Sequence, residues 1–458
     1  MKGHVYVNRT LNMKKINYIG LDMDHTLIRY KSDNFEALAY KVMIDKLIQS
    51  RGYPESIREL KFDYNLAIRG LVIDKSGGNI LKLSRHGAIR TSFHGLENID
   101  YKKLKKLYKS TYIDISDSNY DPVDTSFSIS FAALFSQLVD LKDDKLSQQL
   151  PGYNTIAQDL LYVLDRAHRD GSIKNVVRDN IEDYILKDKS IVEGLERYRK
   201  HGKKIFILTN SDYKYTKILL DYAINPLLKE HAHWQEVFEF VITLAQKPRF
   251  FYDKLPFLMV NPIDGTMTNV EEKISQGGIY QGGCASILTA DLNMEPDEIL
   301  YIGDHIYGDI VRLKKDCAWR TALVIEELDT EVESINHASG ISVKINALME
   351  QKIPLEQKLA DLNSLKLEDE TSKYDKEIEV LSKEIHDLDM EISPLIKKQQ
   401  SYFNSRWGEV FRTGIEESYF AYQVERFACI YMAKLSDLFS TSPRTYFRSK
   451  KRPLAHEF

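Results

Sequence analysis

Two aspartates lie two residues apart in Asp22-Met-Asp-His-Thr26, directly after the apolar run Ile16 to Leu21. At the end of a strand, both carboxylates could project into one crevice. One carboxylate could attack phosphorus and form an aspartyl-phosphate, while the second protonates the leaving oxygen and later activates water. Taken alone, the pair has no better than even odds of being a catalytic site, because such aspartates are more often helix caps or turn residues.

A second carboxylate pair follows another apolar run, in Tyr301-Ile-Gly-Asp-His-Ile-Tyr-Gly-Asp309. Hard oxygen ligands of this kind suit Mg²⁺, which keeps several waters and takes only one or two carboxylates. Asp304 is therefore the predicted metal ligand. Two roles for Asp309 have equal weight, namely a direct metal ligand or a helix-start residue that pairs with Lys247.

Phosphoryl transfer also needs hydrogen-bond donors and a positive charge, because the transferred group is anionic. Thr209-Asn210-Ser211 follows the apolar run Lys204 to Leu208 and offers hydroxyls, an amide and backbone N–H groups. Lys247, in Ala245-Gln-Lys-Pro-Arg249, offers the charge. Considered singly, the first segment would more often be a helix N-cap and the lysine a surface residue.

The segments that carry these residues predict an α/β fold. Ile16 to Leu21, Lys204 to Leu208 and Ile299 to Ile302 are short apolar runs, typical of buried parallel strands. Helical patterns alternate with them, at Ser190 to His201 and Lys214 to Tyr222. In such folds ligands bind at the carboxyl ends of the strands, which is where Asp22, Thr209 and Asp304 fall.

The spacing of these runs predicts three parts. Residues 1–35 and 186–340 would form the catalytic core, and residues 36–185 a mostly helical cap, because this stretch is far longer than a crossover needs. Residues 341–458 would form a helical hairpin or short coiled coil, whose apolar stripe packs on the core rather than on a second copy. Pro354 and Pro394 should limit the continuity of those helices.

Composition excludes several classes of partner. Of the 458 residues, 43% are hydrophobic and 28% charged, and 63 Lys and Arg nearly balance 67 Asp and Glu. No overall charge thus favours nucleic acid or a membrane surface. The three cysteines have no metal-ligand spacing, and no apolar run is long enough to cross a bilayer. A cytoplasmic protein with reduced cysteines is expected.

The order Asp-x-Asp-x-Thr, strand-Thr-Asn-Ser, Lys, and Gly-Asp-x-x-x-x-Asp resembles the four-motif pattern of the haloacid dehalogenase-like superfamily. Longer stretches, such as Asp-Met-Asp-His-Thr-Leu27 and Leu208-Thr-Asn-Ser-Asp-Tyr-Lys-Tyr-Thr216, closely resemble the cytosolic purine 5′-nucleotidases that prefer IMP and GMP. The resemblance runs from about residue 16 to residue 330. It implies a Rossmann-like parallel sheet of the haloacid dehalogenase type with a large helical cap.

The resemblance also implies roles for matching residues of the core. Asp22 would be the nucleophile and Asp24 the acid and base, while Thr209, Asn210 and Lys247 would hold phosphate beside Ser211. The Mg²⁺ site would comprise Asp22, Asp24 through its backbone carbonyl, Asp304 and Asp309.

In the cap, Gly171-Ser-Ile-Lys174 looks like the family's Gly-Ser-Leu-Lys, which makes Lys174 a further phosphate contact. Asp165 and His168 match positions that face the purine, and Phe127 would stack on it. Leu161 replaces the family's base-contacting arginine and Arg169 a tyrosine, so the base preference stays open. Tyr307 matches an aromatic residue of a nucleotide effector site in eukaryotic members.

Three functions follow as hypotheses. The first is Mg²⁺-dependent hydrolysis of IMP and GMP, with transfer of the phosphate to another nucleoside as a second outcome, by a homo-oligomer (a dimer or a tetramer). The second is a phosphatase of another small phosphomonoester, and the third a regulatory nucleotide-binding protein. The complete set of Asp22, Asp24, Thr209, Lys247 and Asp304 favours an enzyme.

Overall fold

The computed structural model describes residues 4–108, 112–270, 273–451 and 455–457. The chain forms two compact units, one of Met1–Glu327 with Val410–Phe458 and one of Leu328–Glu409.

The strands are β1 Tyr6–Val7, β2 Leu11–Asn12, β3 Tyr18–Leu21, β4 Arg29–Tyr30, β5 Leu71–Asp74, β6 Asn79–Leu83, β7 Ile89–His94, β8 Glu97–Asn98, β9 Tyr120–Pro122, β10 Ile185–Leu186, β11 Lys204–Leu208, β12 Val241–Thr243, β13 Phe257–Val260, β14 Met267–Asn269, β15 Ile279–Gly282, β16 Ile299–Gly303, β17 Arg320–Val324, β18 Arg412–Thr413, β19 Glu416–Glu417, β20 Ile430–Met432 and β21 Tyr446–Phe447.

The helices are α1 Ser32–Arg51, α2 Tyr101–Leu107, α3 Ile129–Asp143, α4 Tyr153–Arg169, α5 Lys174–Asp179, α6 Ile181–Tyr184, α7 Lys189–Lys200, α8 Tyr213–Ala223, α9 Trp234–Val237, α10 Arg249–Tyr252, α11 Ala285–Asp291, α12 Arg312–Asp316, α13 Leu328–Glu368, α14 Asp375–Gln400, α15 Tyr419–Phe427 and α16 Leu435–Phe439. A π-helical turn, Ile306–Val311, precedes α12. None of the helices in the described part of the chain combines the length and apolarity that crossing a bilayer requires.

A ten-stranded sheet forms the centre of the first unit, in the order β1-β20-β17-β16-β3-β11-β12-β15-β13-β14. Strands β20 to β15 of this order pair in parallel, and β1, β13 and β14 add antiparallel edges. The predicted α/β class with a parallel sheet is confirmed. All three predicted strands are present, and β3 lies between the other two.

The central strand β3 packs closely against aromatic neighbours at Gly20. A Cβ at this position would lie 2.5 Å from Phe206 Cζ and 2.7 Å from Tyr301 Cδ2. Glycine therefore lets these rings of β11 and β16 cover the middle of the sheet. This packing fixes the strands whose ends carry the predicted site.

The chain leaves the central sheet at β4 and returns at β10, and these two strands pair antiparallel. Between them lie α1 to α6 and a five-stranded antiparallel sheet, ordered β8-β7-β6-β5-β9. The cap expected at residues 36–185 thus contains helices and, in addition, a sheet that the sequence analysis did not predict. Strands β5 to β8 pair as successive hairpins, and β9 returns from further along the chain to pair with β5. Strands this short carry too little pattern to be recognised from sequence.

Residues 410–458 belong to the same compact unit as the central sheet. Strand β20 pairs in parallel with β17, through Ala322 opposite Ile430. The sequence pattern instead predicts that these residues belong to the C-terminal extension, residues 341–458. The reason for the difference is length: β20 has three residues, too few for a recognisable strand pattern.

The second unit contains the helical hairpin of α13 and α14. Ion pairs join the two helices, among them Lys344 with Glu391 and Lys358 with Glu377. Pro354 and Pro394 were expected to interrupt the helices, yet both lie inside them. A proline removes only one helical hydrogen bond, and the facing helix stabilises the pair. Packing of this extension on the core stays a prediction.

Within the cap, Glu36 of α1 is fully buried beside the first turn of α3. Its Oε2 accepts a hydrogen bond from the Ser130 backbone N–H at 2.7 Å, and its Oε1 has no partner among the described residues. Burial raises the pKa of this carboxyl from 4.5 to about 7, because the charged form loses its water. Glu36 therefore takes up a proton on folding near neutral pH.

Glu36→Gln should change how stability depends on pH. The folded-state pKa lies above the unfolded value, so wild-type protein loses free energy of unfolding as the pH rises from 4.5 to about 7. The glutamine cannot ionise, so the variant should gain up to roughly 3 kcal/mol over wild type between pH 4 and pH 8. Urea unfolding at both pH values measures this, with the exposed Glu97→Gln as control. A difference that is independent of pH would contradict the expectation.

Candidate functional site

The sequence motifs meet at one edge of the central sheet. Strand β3 pairs in parallel with β11 on one side and β16 on the other. Asp22, Thr209 and Asp304 each directly follow one of these strands. Because neighbouring parallel strands end at the same edge, the three residues come together as the α/β pattern predicts.

Three carboxylates form a buried cluster at this edge. One oxygen from each of Asp22, Asp304 and Asp309 lies within 4.8 Å of the others. Burial raises the pKa of both Asp22 and Asp304, since it disfavours the charged form. Asp304 Oδ2 has no hydrogen-bond partner among the described residues. The cluster therefore has carboxylate oxygens that could act as ligands and negative charge that is not fully compensated, and both suit a divalent cation.

Lys247 supplies the positive charge of the cluster. Its Nζ lies 2.9 Å from Asp22 Oδ1, 2.7 Å from Asp309 Oδ1 and 2.9 Å from the Tyr301 hydroxyl. Burial lowers the pKa of Lys247, but the charges of Asp22 and Asp309 outweigh this effect and raise it above its ordinary value. The lysine is thus charged. The predicted pairing of Asp309 with Lys247 is present, and its alternative role as a metal ligand stays a prediction.

The segment after β11 places its three polar side chains differently. Asn210 bonds the backbone of Lys247, accepting from its N–H at 2.6 Å and donating to its carbonyl at 3.0 Å. Ser211 donates its hydroxyl to Asp24 Oδ2 at 2.8 Å. Thr209 Oγ1 accepts from the Ser211 N–H at 3.0 Å, which leaves its own hydrogen for another acceptor. Asn210 and Ser211 thus hold other site residues in place, whereas Thr209 retains a hydroxyl hydrogen that it can donate to a ligand.

Two of the predicted cap residues lie in a group of aromatic rings. The Phe127 ring centroid is 4.5 Å from that of His25 and 5.7 Å from that of His168. Phe35 lies 5.1 Å from Phe127. Burial lowers the pKa of His168 to about 4, so its imidazole is neutral at neutral pH. Phe127 and His168 are therefore brought close to His25, which directly follows Asp24.

The other cap residues have local charged partners. Asp165 pairs with Arg169 at 3.1 Å, and both side chains are more than half exposed. Lys174 Nζ lies 2.6 Å from Asp212 Oδ2. Leu161 is partly exposed on α4. The structure does not bring Asp165 into the ring group, and contacts of Asp165 and Lys174 with a substrate stay predictions.

Two site residues were not predicted from the sequence. Tyr301 accepts from Lys247 and donates its hydroxyl to the Leu208 carbonyl at 2.9 Å. Arg69 of the cap donates to the Asp304 carbonyl at 2.9 Å and to Ser126 Oγ at 2.6 Å. Tyr301 looks like one more aromatic residue in an apolar strand, and Arg69 lies outside every motif, so the sequence carried no usable signal for either.

Gly303→Ala tests whether the position of Asp309 matters. An alanine Cβ would lie 2.3 Å from Asp309 Oδ2 and 2.5 Å from its Cγ, so the carboxylate must move. Release of phosphate from a monoester should fall about a hundredfold, since small misplacements of reacting groups are that costly.

The control for this variant is Gly152→Ala, where a Cβ meets nothing within 4 Å and φ is −63°. Far-UV circular dichroism of both variants should match wild type. An unchanged rate in Gly303→Ala would show that the placement of Asp309 is not critical.

Comparison with known proteins agrees with these motifs. A family model described as the 5′ nucleotidase family matches residues 5–458. A 5′-nucleotidase domain-containing protein of Dictyostelium discoideum is 28% identical over 465 residues, which cover 99% of this chain and 75% of that protein. The 5′-nucleotidase domain-containing protein 2 of Rattus norvegicus is 26% identical over 477 residues, covering 99% and 80%. The resemblance to 5′-nucleotidases is confirmed, and the chain belongs to the 5′ nucleotidase family of hydrolases.

Proposed function

We propose that this chain is a Mg²⁺-dependent 5′-nucleotidase that hydrolyses the purine nucleoside 5′-monophosphates IMP and GMP through an aspartyl-phosphate on Asp22. The observation that carries the proposal is the ammonium of Lys247, which lies within 2.9 Å of both Asp22 and Asp309. The lysine charge opposes the rise in the pKa of Asp22 that burial causes, and it adds a cation for an anionic substrate. Family membership supports hydrolysis of nucleoside monophosphates.

The contacts of Asp22 indicate which oxygen attacks. Oδ1 accepts from the Met23 N–H at 2.7 Å and pairs with Lys247 Nζ at 2.9 Å, whereas Oδ2 has no hydrogen-bond donor among the described residues and would attack phosphorus. In the first step the bond from Asp22 Oδ2 to phosphorus forms and the bond from phosphorus to the nucleoside O5′ breaks. The electron pair of the broken bond goes to O5′, which takes a proton from Asp24.

In the second step water attacks phosphorus and gives a proton to Asp24. The bond from phosphorus to Asp22 breaks, which releases inorganic phosphate and restores the Asp22 carboxylate. A nucleoside hydroxyl in place of water would accept the phosphate in the same way, so phosphotransfer is a second outcome of the proposal. Water is the default acceptor because of its concentration.

The donors around the phosphate would be Thr209 and Lys247. The Thr209 hydroxyl has a hydrogen to give, and Lys247 has its charge. Asn210 would act by holding the backbone of Lys247, and Ser211 by holding Asp24.

A Mg²⁺ ion fits the carboxylate cluster. Asp22, Asp304 and Asp309 offer hard oxygens, and Oδ2 of Asp304 has no hydrogen-bond partner among the described residues. The family resemblance adds the backbone carbonyl of Asp24. When bound, the ion would neutralise charge on the phosphate oxygens.

The cap supports a purine substrate. Phe127 and the neutral His168, both partly exposed, provide ring faces near His25, the residue that follows Asp24. Stacking suits a purine because its two fused rings bury more area than a pyrimidine. Asp165 and Lys174 would contact base and phosphate after leaving their present partners.

The proposal also includes an effector site, a cellular location and an oligomeric state. Tyr307 is 45% exposed on the π-helical turn, so a nucleotide effector could stack on it. The free cysteines Cys284, Cys317 and Cys429 suit a cytoplasmic location. A homo-oligomer is proposed from the family resemblance.

Phosphate release from a panel of nucleoside monophosphates tests the activity and base preference. IMP and GMP should exceed AMP and the pyrimidine nucleotides by at least about tenfold in kcat/KM. Asp22→Asn should lower kcat by at least about a thousandfold because the nucleophile is lost. Equal rates across the bases would defeat the purine preference, and activity that persists in Asp22→Asn would defeat the nucleophile.

Thermal unfolding with and without Mg²⁺ tests the metal site. Saturating Mg²⁺ should raise the Tm of wild type by roughly 3–6 °C, since the ion binds only the folded cluster. Asp304→Asn removes one carboxylate and should lose most of that shift. The control is Asp297→Asn, an exposed carboxylate just before β16. An equal shift in Asp304→Asn would place the ion elsewhere.

A further inference from the structure

Both oxygens of the Asp24 carboxylate are held by hydroxyl groups from different parts of the fold. Tyr30 donates its hydroxyl to Oδ1 at 2.6 Å, and Ser211 donates to Oδ2 at 2.8 Å. The last torsion of an aspartate side chain is broad when nothing holds it. Two donors on opposite oxygens fix the plane of the carboxylate and hence the direction in which it can deliver a proton.

The Tyr30 ring is itself tightly held. It is 2% exposed, stacks on His25 with centroids 4.6 Å apart, and packs edge-on against Phe35 at 5.0 Å. Its backbone lies in β4, opposite Ile185 of β10. The hydroxyl therefore has little freedom to move away from Asp24.

A second tyrosine extends this contact. The hydroxyls of Tyr30 and Tyr215 lie 3.1 Å apart. Because the Tyr30 hydrogen goes to the Asp24 carboxylate, Tyr215 must be the donor between them. Tyr215 is held in turn by its N–H, which bonds Asp212 Oδ1 at 2.9 Å, and by Lys174, whose Nζ is 5.0 Å from its ring. The hydroxyls thus form an ordered chain that ends on Asp24.

We infer that Tyr30 is a positioning residue that orients Asp24 for proton transfer to the leaving oxygen, with Tyr215 holding Tyr30. The inference rests on the proposed acid role of Asp24. Tyr30 touches neither the phosphate nor the attacking oxygen in this role; it acts only through Asp24. In the first step Asp24 gives its proton to the oxygen that leaves phosphorus, so a misdirected carboxyl slows this step only for leaving groups that need a proton. In the second step Asp24 takes a proton from water whatever the substrate was, so the first step is the one that separates the substrates.

Leaving-group dependence separates this role from a structural one. A phenolate activated by a nitro group departs without a proton, whereas phenolate and the O5′ of a nucleoside are helped by one. The test variant is Tyr30→Phe, which keeps the ring in place and deletes the hydroxyl. Substrates are IMP, phenyl phosphate and p-nitrophenyl phosphate, and the first step is read from the pre-steady-state burst.

Tyr30→Phe should slow the first step on IMP and phenyl phosphate by roughly 10- to 100-fold. The burst on p-nitrophenyl phosphate should stay within about threefold of wild type, and KM within about twofold. Ser211→Ala, which removes the other donor, should give the same selective loss. Equal loss on all substrates would overturn the inference in favour of a structural role, and no loss on any would show that the hydroxyl is not needed.

Two controls accompany these variants. Tyr198→Phe also deletes a buried hydroxyl, one that donates to the Leu438 carbonyl at 3.0 Å, and should leave every rate unchanged. Tyr215→Phe should give the same selective pattern as Tyr30→Phe, reduced to about two- to fivefold, because Tyr215 acts one hydrogen bond further away.

The two phenyl esters allow the role of Tyr30 to be tested independently of the proposed nucleotide substrate. If wild type hydrolyses them but no nucleotide, the nucleotidase proposal fails while the Tyr30 comparison is still decided on the esters. If IMP is hydrolysed and Tyr30→Phe shows no selective loss, only the positioning role fails.

Discussion

Carboxylates that are removed from water at the edge of a sheet must face a cation, and the rest of this structure depends on that constraint. Asp22, Asp304 and Asp309 are buried together, which is costly while their charge is uncompensated. Lys247 compensates part of it, and its three ammonium hydrogens have three acceptors in Asp22, Asp309 and Tyr301. Asp304 shares none of these contacts. Lys247 thus compensates Asp22 and Asp309, and the proposed Mg²⁺ would bind beside Asp304, whose Oδ2 has no hydrogen-bond partner among the described residues.

The surroundings of Lys247 follow from the same constraint. A lysine that moved away would leave two buried carboxylates, Asp22 and Asp309, without the positive charge beside them, so its loop must be fixed. Asn210 fixes it through two hydrogen bonds to the backbone. Asp309 is fixed from the other side, where the His305 N–H donates to its Oδ2 at 3.2 Å and Gly303 leaves it space. Side chains that looked like direct substrate contacts thus serve first to hold the charged groups.

How much of this the sequence could predict depends on the distance over which each contact acts. Asp22, Thr209 and Asp304 follow apolar strands directly, and parallel pairing brings strand ends together, so their meeting was predictable. Tyr301 and Arg69 act through hydrogen bonds to backbone carbonyls far away in sequence, at Leu208 and Asp304. Such contacts leave no periodic pattern. The cap sheet and β20 were missed for a related reason, since short strands are specified by their partners rather than by their own residues.

The same long-range contacts tie the cap to the chemistry of the core. Tyr30 begins the cap insertion and bonds Asp24, while Arg69 within the cap bonds the Asp304 carbonyl and Ser126, next to Phe127. The proposed acid residue, Asp24, and the predicted metal ligand, Asp304, are thus each held by a side chain of the cap or its entry strand. A substrate that displaced Phe127 would act on Ser126 and hence on Arg69. In the proposed function, selection of the substrate and alignment of the reacting groups therefore share physical contacts, because a carboxylate in a buried site can be oriented only by neighbours that are themselves fixed.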